Sequence, residues 1–169
     1  MDTDAYLDGV RVSLRARGLE VADTEIAGRP VVTGRRSDFS WRWFATRLHT
    51  AVLVTRLFPD EIGPEPLEAF LKAATDWAVE HRSGGSLGIQ SGVAAIAAVA
   101  MSELSPEARD FASRPHGRKF AAIAYPVAVG TASGEIVQPG RMIIGGVFSS
   151  FLHSVVKDVL ESPFVPAGH

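Results

Sequence analysis

Hydrophobic positions recur along the chain with two different periods, and the alternation between them sets out the elements. Tyr6, Leu7, Val10 and Leu14 return at helical spacing and predict a helix from about Asp4 to Arg17, capped by Thr3 or Asp4. Gly18-Leu19 reads as a Schellman-type stop, and Asp8, Arg11 and Arg15 lie on the polar face where they can pair along the helix. From there to Leu57 the pattern is that of a strand meander. Ala27-Gly28-Arg29-Pro30 marks a turn between two short strands, and Gly34 to Asp38 reads as a second turn. Phe39, Trp41 and Trp43 then alternate with polar residues at strand period. Ala51 to Val54 is apolar on both faces, so this strand needs cover on both, from helices of the same chain or from a second subunit.

Gly63-Pro64-Glu65-Pro66 opens a second helix, with prolines where a missing N–H costs least and glutamates suited to a helix start. Leu67, Phe70, Leu71, Ala74, Trp77 and Ala78 form its apolar stripe, and Ser83-Gly84-Gly85 ends it. Gly88 to Met101 is a run of small apolar residues. Its alanines favour a helix, its Val/Ile spacing and flanking glycines favour a buried strand, and strand is the reading adopted. Ser105, Pro106 and Glu107 start a short helix that stops before Pro115. Lys119 to Val129 predicts another buried strand, Thr131 to Gly134 a turn, and Glu135 to Gln138 the start of a return strand that Arg141 to Ile144 continues. Phe148, Phe151, Leu152, Val155 and Val159 give a final helix from about Val147 to Glu161, ended by Pro163. The expected architecture is α+β, with an antiparallel sheet packed by about four helices in the order α-β(3–4)-α-β-α-β(2)-α, forming a single domain over residues 1–169.

Composition narrows the chemistry. The 169 residues are 46% hydrophobic and 21% charged, which excludes a disordered chain. With no cysteine there is no disulfide framework, thiolate metal site or cysteine nucleophile. The start Met1-Asp2-Thr3-Asp4 has no secretory pattern, and the longest apolar run, Val93 to Met101, falls far short of the ~20 residues of a spanning helix, so a cytoplasmic protein is expected. Abundant alanine, and arginine in place of lysine, suit a GC-rich bacterial genome. The net charge of -2 is not that of a nucleic-acid coat. Charge is nevertheless segregated. Arg29, Arg35, Arg36, Arg42, Arg47 and Arg56 face only Asp38 in their stretch, whereas Asp60, Glu61, Glu65, Glu68, Asp76 and Glu80 face only Lys72.

Motifs for catalysis are missing from the sequence. His49, His81, His116, His153 and His169 have no HExxH or HxxxH spacing. Ser83-Gly84-Gly85-Ser86-Leu87-Gly88 follows a helix and enters a strand, the reverse of a phosphate loop. There is no GxSxG, and Pro59-Asp60 is not followed by the ExK of a metal-dependent nuclease. The element order resembles the type III secretion chaperone-like fold: an opening helix, a meander containing Phe39-Ser40-Trp41-Arg42-Trp43-Phe44, a middle helix ending near Trp77, and a final helix over Val147–Glu161. The short helix at Ser105–Arg114 and the basic loop after it depart from that order. The resemblance implies a homodimeric protein that binds other proteins without catalysis.

The expected function is therefore a non-catalytic adaptor or chaperone-like domain, homodimeric, with a protein partner. No catalytic residue, cofactor or metal ligand is assigned, and neither a membrane nor a nucleic acid is the expected partner. The candidate partner or anion contacts are Arg114, His116, Arg118 and Lys119 in the basic loop, and Arg35 and Arg36 in the basic stretch. An enzyme whose polar groups converge only in space is one alternative, and a nucleic-acid binder through Arg29–Arg56 is another.

Overall fold

A computed structural model describes residues 1–40, 46–58, 61, 63–82, 91–116, 118–119, 121–140 and 146–165, with the side chains of 39, 40, 46, 118, 119, 146 and 147 left out of the description. Helix α1 (Thr3–Ala16) is followed by strands β1 (Glu20–Ile26), β2 (Arg29–Ser40) and β3 (Thr46–Arg56), helix α2 (Pro64–Glu80) and strand β4 (Ser91–Met101). Helix α3 (Pro106–Ser113), strands β5 (Arg118–Lys119), β6 (Ala122–Gly130) and β7 (Glu135–Val137), and helix α4 (Gly146–Val156) complete the order.

The architecture is α+β as expected, but the sheet is mixed rather than antiparallel. Its order is β1-β2-β3-β4-β6-β5, with β7 also on β6. Strands β1, β2 and β3 pair antiparallel, whereas β3 with β4 and β4 with β6 are parallel. The reason is topological. A helix between two neighbouring strands carries the chain back to the end where it began, and α2 and α3 each do this.

Two apolar clusters lie on opposite faces of the sheet. Val32, Leu48, Val52, Ala94, Ile96 and Tyr125 pack against α1 and α4. Val31, Ala51, Leu53, Val93, Ala95 and Ala97 pack against α2 and α3. The two-faced apolar strands are thus covered by the chain's own helices, and their burial calls for no second copy.

Local signals are mostly followed. Gly18 has φ +73, with Gly18 N–H bonding Arg15 O at 2.9 Å and Leu19 N–H bonding Leu14 O at 3.0 Å, the paired bonds of a Schellman stop. Ser105 Oγ accepts from Ala108 N–H at 3.1 Å and caps α3. The first helix, however, is capped by Asp2, without a side-chain bond, rather than by Thr3 or Asp4.

Three further expectations are corrected. Gly34 to Asp38 is no turn but the middle of β2, paired with Val52 to Leu48 of β3, because the glycine makes room for Leu14 of α1. The strand expected over Lys119–Val129 is broken at Ala121, whose φ of +57 turns the chain between β5 and β6. The last helix is regular only to Val156, and residues Lys157–Glu161 widen into a π-helical turn. Trp41 and Trp43 and the continuation over Arg141–Ile144 lie outside the described residues, as does the Gly-rich stretch 83–88. Among the described residues, no helix is long and apolar enough to cross a membrane.

A basic cleft where two strands meet the end of helix α2

Along β3, residues alternate between the two faces. Leu48, Val52 and Val54 face α1 and α4, while Ala51 and Leu53 face α2. By the same alternation Arg47 and His49 fall on the α2 side, and the register sets Ser37 opposite His49 and Arg35 opposite Ala51. Helix α2 runs down this face and ends at His81 and Arg82. Where the helix stops short of the strand ends, a cleft of about 230 Å³ is left, lined by Arg35, Ser37, His49, His81 and Arg82 among others.

Each wall is held in place. The Arg35 guanidinium pairs with Glu20 at 3.0 Å, donates to His81 O at 3.0 Å, and lies 5.9 Å from the centre of the Trp77 ring. The His81 imidazole stacks on Trp77 at 4.2 Å, and its Nδ1 donates to Trp77 O at 2.9 Å. Trp77, expected in the core stripe of this helix, is half-buried and forms the platform beneath both side chains. Arg36 points to the other face, where it pairs with Asp38 at 2.9 Å and donates to Arg17 O at 2.9 Å.

Among the described residues, one buried side-chain polar atom at the cleft has no partner. Arg82 donates through Nη1 to Val79 O, but its Nε is buried and unbonded. Thr50 Oγ1 is also buried and unbonded among the described residues, but by the strand alternation it lies on the α1 face of the sheet with its register partner Arg36 and not in the cleft. An unmet buried donor costs about 1–3 kcal/mol, and more on a charged group. His49, 7% exposed, is held below the ordinary histidine pKa, first by burial and then by the charges of Arg47 and Arg82. The cleft can therefore accept a negatively charged or strongly hydrogen-bonding group. Among the described residues its one lining carboxylate, Glu20, is already engaged by Arg35.

The structure separates the residues that the sequence reading grouped. Arg35 lines the cleft with its side chain, Arg36 borders it only through its place in β2 while its guanidinium turns to the other face, and the basic loop does not line it. Arg118 and Lys119 sit on β5, four strand spacings from β2, roughly 19 Å away. Arg114 pairs with Asp110 at 2.6 Å, both largely exposed. His116 bonds Phe111 O through Nε2 at 2.9 Å and packs on the Phe111 ring. These are local contacts that steady a loop. The basic run is also mostly neutralised: Arg29 pairs with Glu61, Arg35 with Glu20, Arg36 with Asp38 and Arg56 with Asp4.

The meeting of His49, His81 and Arg82 is not visible in the sequence because they come from different elements. A trace was present: His49-Thr50 interrupts a strand otherwise apolar from Leu48 to Val54, and His81-Arg82 falls where an amphipathic stripe stops. Among the described residues, no cluster of three or more His, Asp or Glu is arranged to hold a metal ion. Comparison with protein families, with curated proteins and with solved structures finds no match to this chain.

Proposed function

We propose that this chain is a non-catalytic protein-binding domain that seats an acidic group of its partner in the cleft between β2, β3 and the end of α2. The observation that carries the reading is Arg82: a guanidinium with a buried, unbonded Nε in a cleft walled by further cations. A carboxylate in the cleft would face that half-buried guanidinium together with Arg35 and make charge-assisted bonds to their accessible N–H groups. Size supports a side chain of a larger partner over a free metabolite. About 230 Å³ lies below the ~300–1,000 Å³ of ordinary small-molecule pockets and suits one carboxylate with its stem. Trp77 and Arg35 beside the opening are residue types that anchor protein interfaces.

The test is photo-crosslinking in the native host with a benzophenone side chain at Ser37, which lines the cleft. A discrete crosslinked protein is expected, and its loss in an Arg82→Met variant of unchanged thermal stability. Absence of any crosslinked protein, or capture that survives both Arg82→Met and Arg35→Met, would overturn the reading.

A further inference from the structure

We infer that the cleft takes up a proton together with its anion, and that the proton goes to the His49 imidazole. The inference deepens the reading of the cleft as the seat of an acidic group and rests on it.

The surroundings of His49 carry the argument. On its own strand the next residue on the same face is Arg47, which is exposed and makes no ion pair among the described residues. From the end of α2 come His81 and Arg82. From β2 comes Arg35, and from β1 Glu20, the two bound to each other at 3.0 Å. On the β4 side the register partner is the apolar Val93. His49 is thus buried among cations, with the nearby carboxylate already committed.

Without a bound anion an imidazolium would add positive charge to a positive, poorly solvated site, so the neutral ring prevails. A bound anion reverses that balance. It offsets Arg47 and Arg82 and gives the imidazolium an attractive neighbour at a depth where screening by water is weak. Linkage makes the effect mutual: an anion that prefers the protonated protein raises the His49 midpoint, and protonation tightens the anion by the same factor. A rise of one pH unit corresponds to about a tenfold change in affinity.

The probe is sulfate, whose charge does not change over the range in which histidine titrates. The His49 ring resonance, assigned with His49→Gln, is followed through a pH titration in sulfate and in chloride at equal ionic strength. The expected result is a higher His49 midpoint in sulfate, with His116 and His153 unmoved as internal references. Sulfate should bind about tenfold more tightly near pH 5.5 than near pH 8. His49→Gln should still bind but lose most of that pH dependence, and Arg82→Met should bind weakly at either pH. An unmoved midpoint in the wild-type protein, no sulfate binding at either pH, or full pH dependence in His49→Gln would each overturn the inference. The wild-type titration stands even if a variant misfolds. Loss of the Ser37 crosslink in Arg82→Met with an unmoved midpoint would leave the partner reading intact and remove only the proton. A moved midpoint without any crosslinked protein would do the reverse.

Discussion

Substituting Gly34 tests the packing of α1 on the sheet. Gly34 sits inside β2, between Val21 of β1 and Val52 of β3. A Cβ at this position would lie 2.5 Å from Leu14 Cδ2, 3.1 Å from Cδ1 and 3.2 Å from Cγ. Carbon atoms rest at about 3.5–4.0 Å, so the added methyl overlaps its nearest neighbour by roughly 1 Å. Leu14 has nowhere easy to go, since it is fully buried among Tyr6, Val10, Val32 and their neighbours. In an open strand Gly→Ala stabilises by about 0.4–1 kcal/mol through the unfolded chain. Overpacking a tight core costs about 1–3 kcal/mol. The steric term wins, and Gly34→Ala is expected to destabilise the protein by about 1–2 kcal/mol.

The cause is separable from any other defect by a double-mutant cycle. Leu14→Ala alone removes a fully buried leucine and is expected to cost about 2–5 kcal/mol. In the double variant the methyl added to Gly34 enters the space that Leu14 vacates, so the two costs do not add. Gly34→Ala should be neutral or stabilising in the Leu14→Ala background, a coupling of about 1–3 kcal/mol. The assay is urea unfolding, read as a shift in midpoint at unchanged slope. A Gly34→Ala protein as stable as the wild type, or costs that add within about 0.5 kcal/mol, would refute the close-approach argument.

The hairpin between β1 and β2 offers a gain. Ala27 has φ +53 and Gly28 φ +74, a two-residue turn with both residues left-handed, where Asn-Gly is the favoured pair. Ala27→Asn should stabilise by about 0.5–1 kcal/mol in the same urea assay, and a loss of stability would count against the turn geometry. High pH gives another check. Both tyrosines of the chain are raised above the ordinary phenol pKa by burial, Tyr6 beyond the usual range and Tyr125 to about 12. Their folded-state pKa values exceed the unfolded value of about 10, so stability is intact below pH ~10 and falls as pH rises from there toward 12. Tyrosinate absorbance should therefore appear together with the loss of native circular dichroism. Two tyrosines ionising near pH 10 in a still-native protein would sink the prediction.

The signals that read correctly from the sequence are those whose cause lies within a few residues. Gly18 stops α1, Ala27-Gly28 turns the first hairpin, and Ser105-Pro106 starts α3, each through a local backbone requirement. The run from Val93 to Met101 read correctly as a strand because small and β-branched residues fill a ribbon covered on both faces. Gly34 misled because a glycine inside a strand looks like a turn unless the helix that presses on it is known. The direction of the central strands was legible in principle: a strand–helix–strand order occurs twice, and such a crossover makes neighbours parallel. The cleft was half legible. Arg35 belonged to a visible basic run, whereas its meeting with His49 and Arg82 depends on sheet register and on where α2 ends.

Helix direction accounts for most of the charge segregation and for what is unusual about the cleft. α2 and α3 follow the carboxyl ends of β3 and β4, and α1 starts at the same end of the sheet, where Thr3 bonds Thr131 and Asp4 meets Arg56. Each carries an acid in its first turn, Asp4, Glu65 and Glu107, matched to the positive end of the helix dipole. The other ends of α1 and α3 carry cations for the same reason, Arg15 in the last turn of α1 and Arg114 capping α3, and α2 ends with Arg82 just beyond its cap His81. In many parallel sheets the helix starts beside the strand carboxyl ends receive an anion. Here the first-turn acids take that role, and the positive charge gathers at the opposite end. Dipole matching explains why cations stand there. It does not explain a guanidinium with a buried, unbonded Nε, since a cation placed only to balance a helix end gains more by reaching into water. Arg82 is held with its Nε out of reach of solvent and its charge beside the buried His49, and that combination sets this helix end apart from those of α1 and α3.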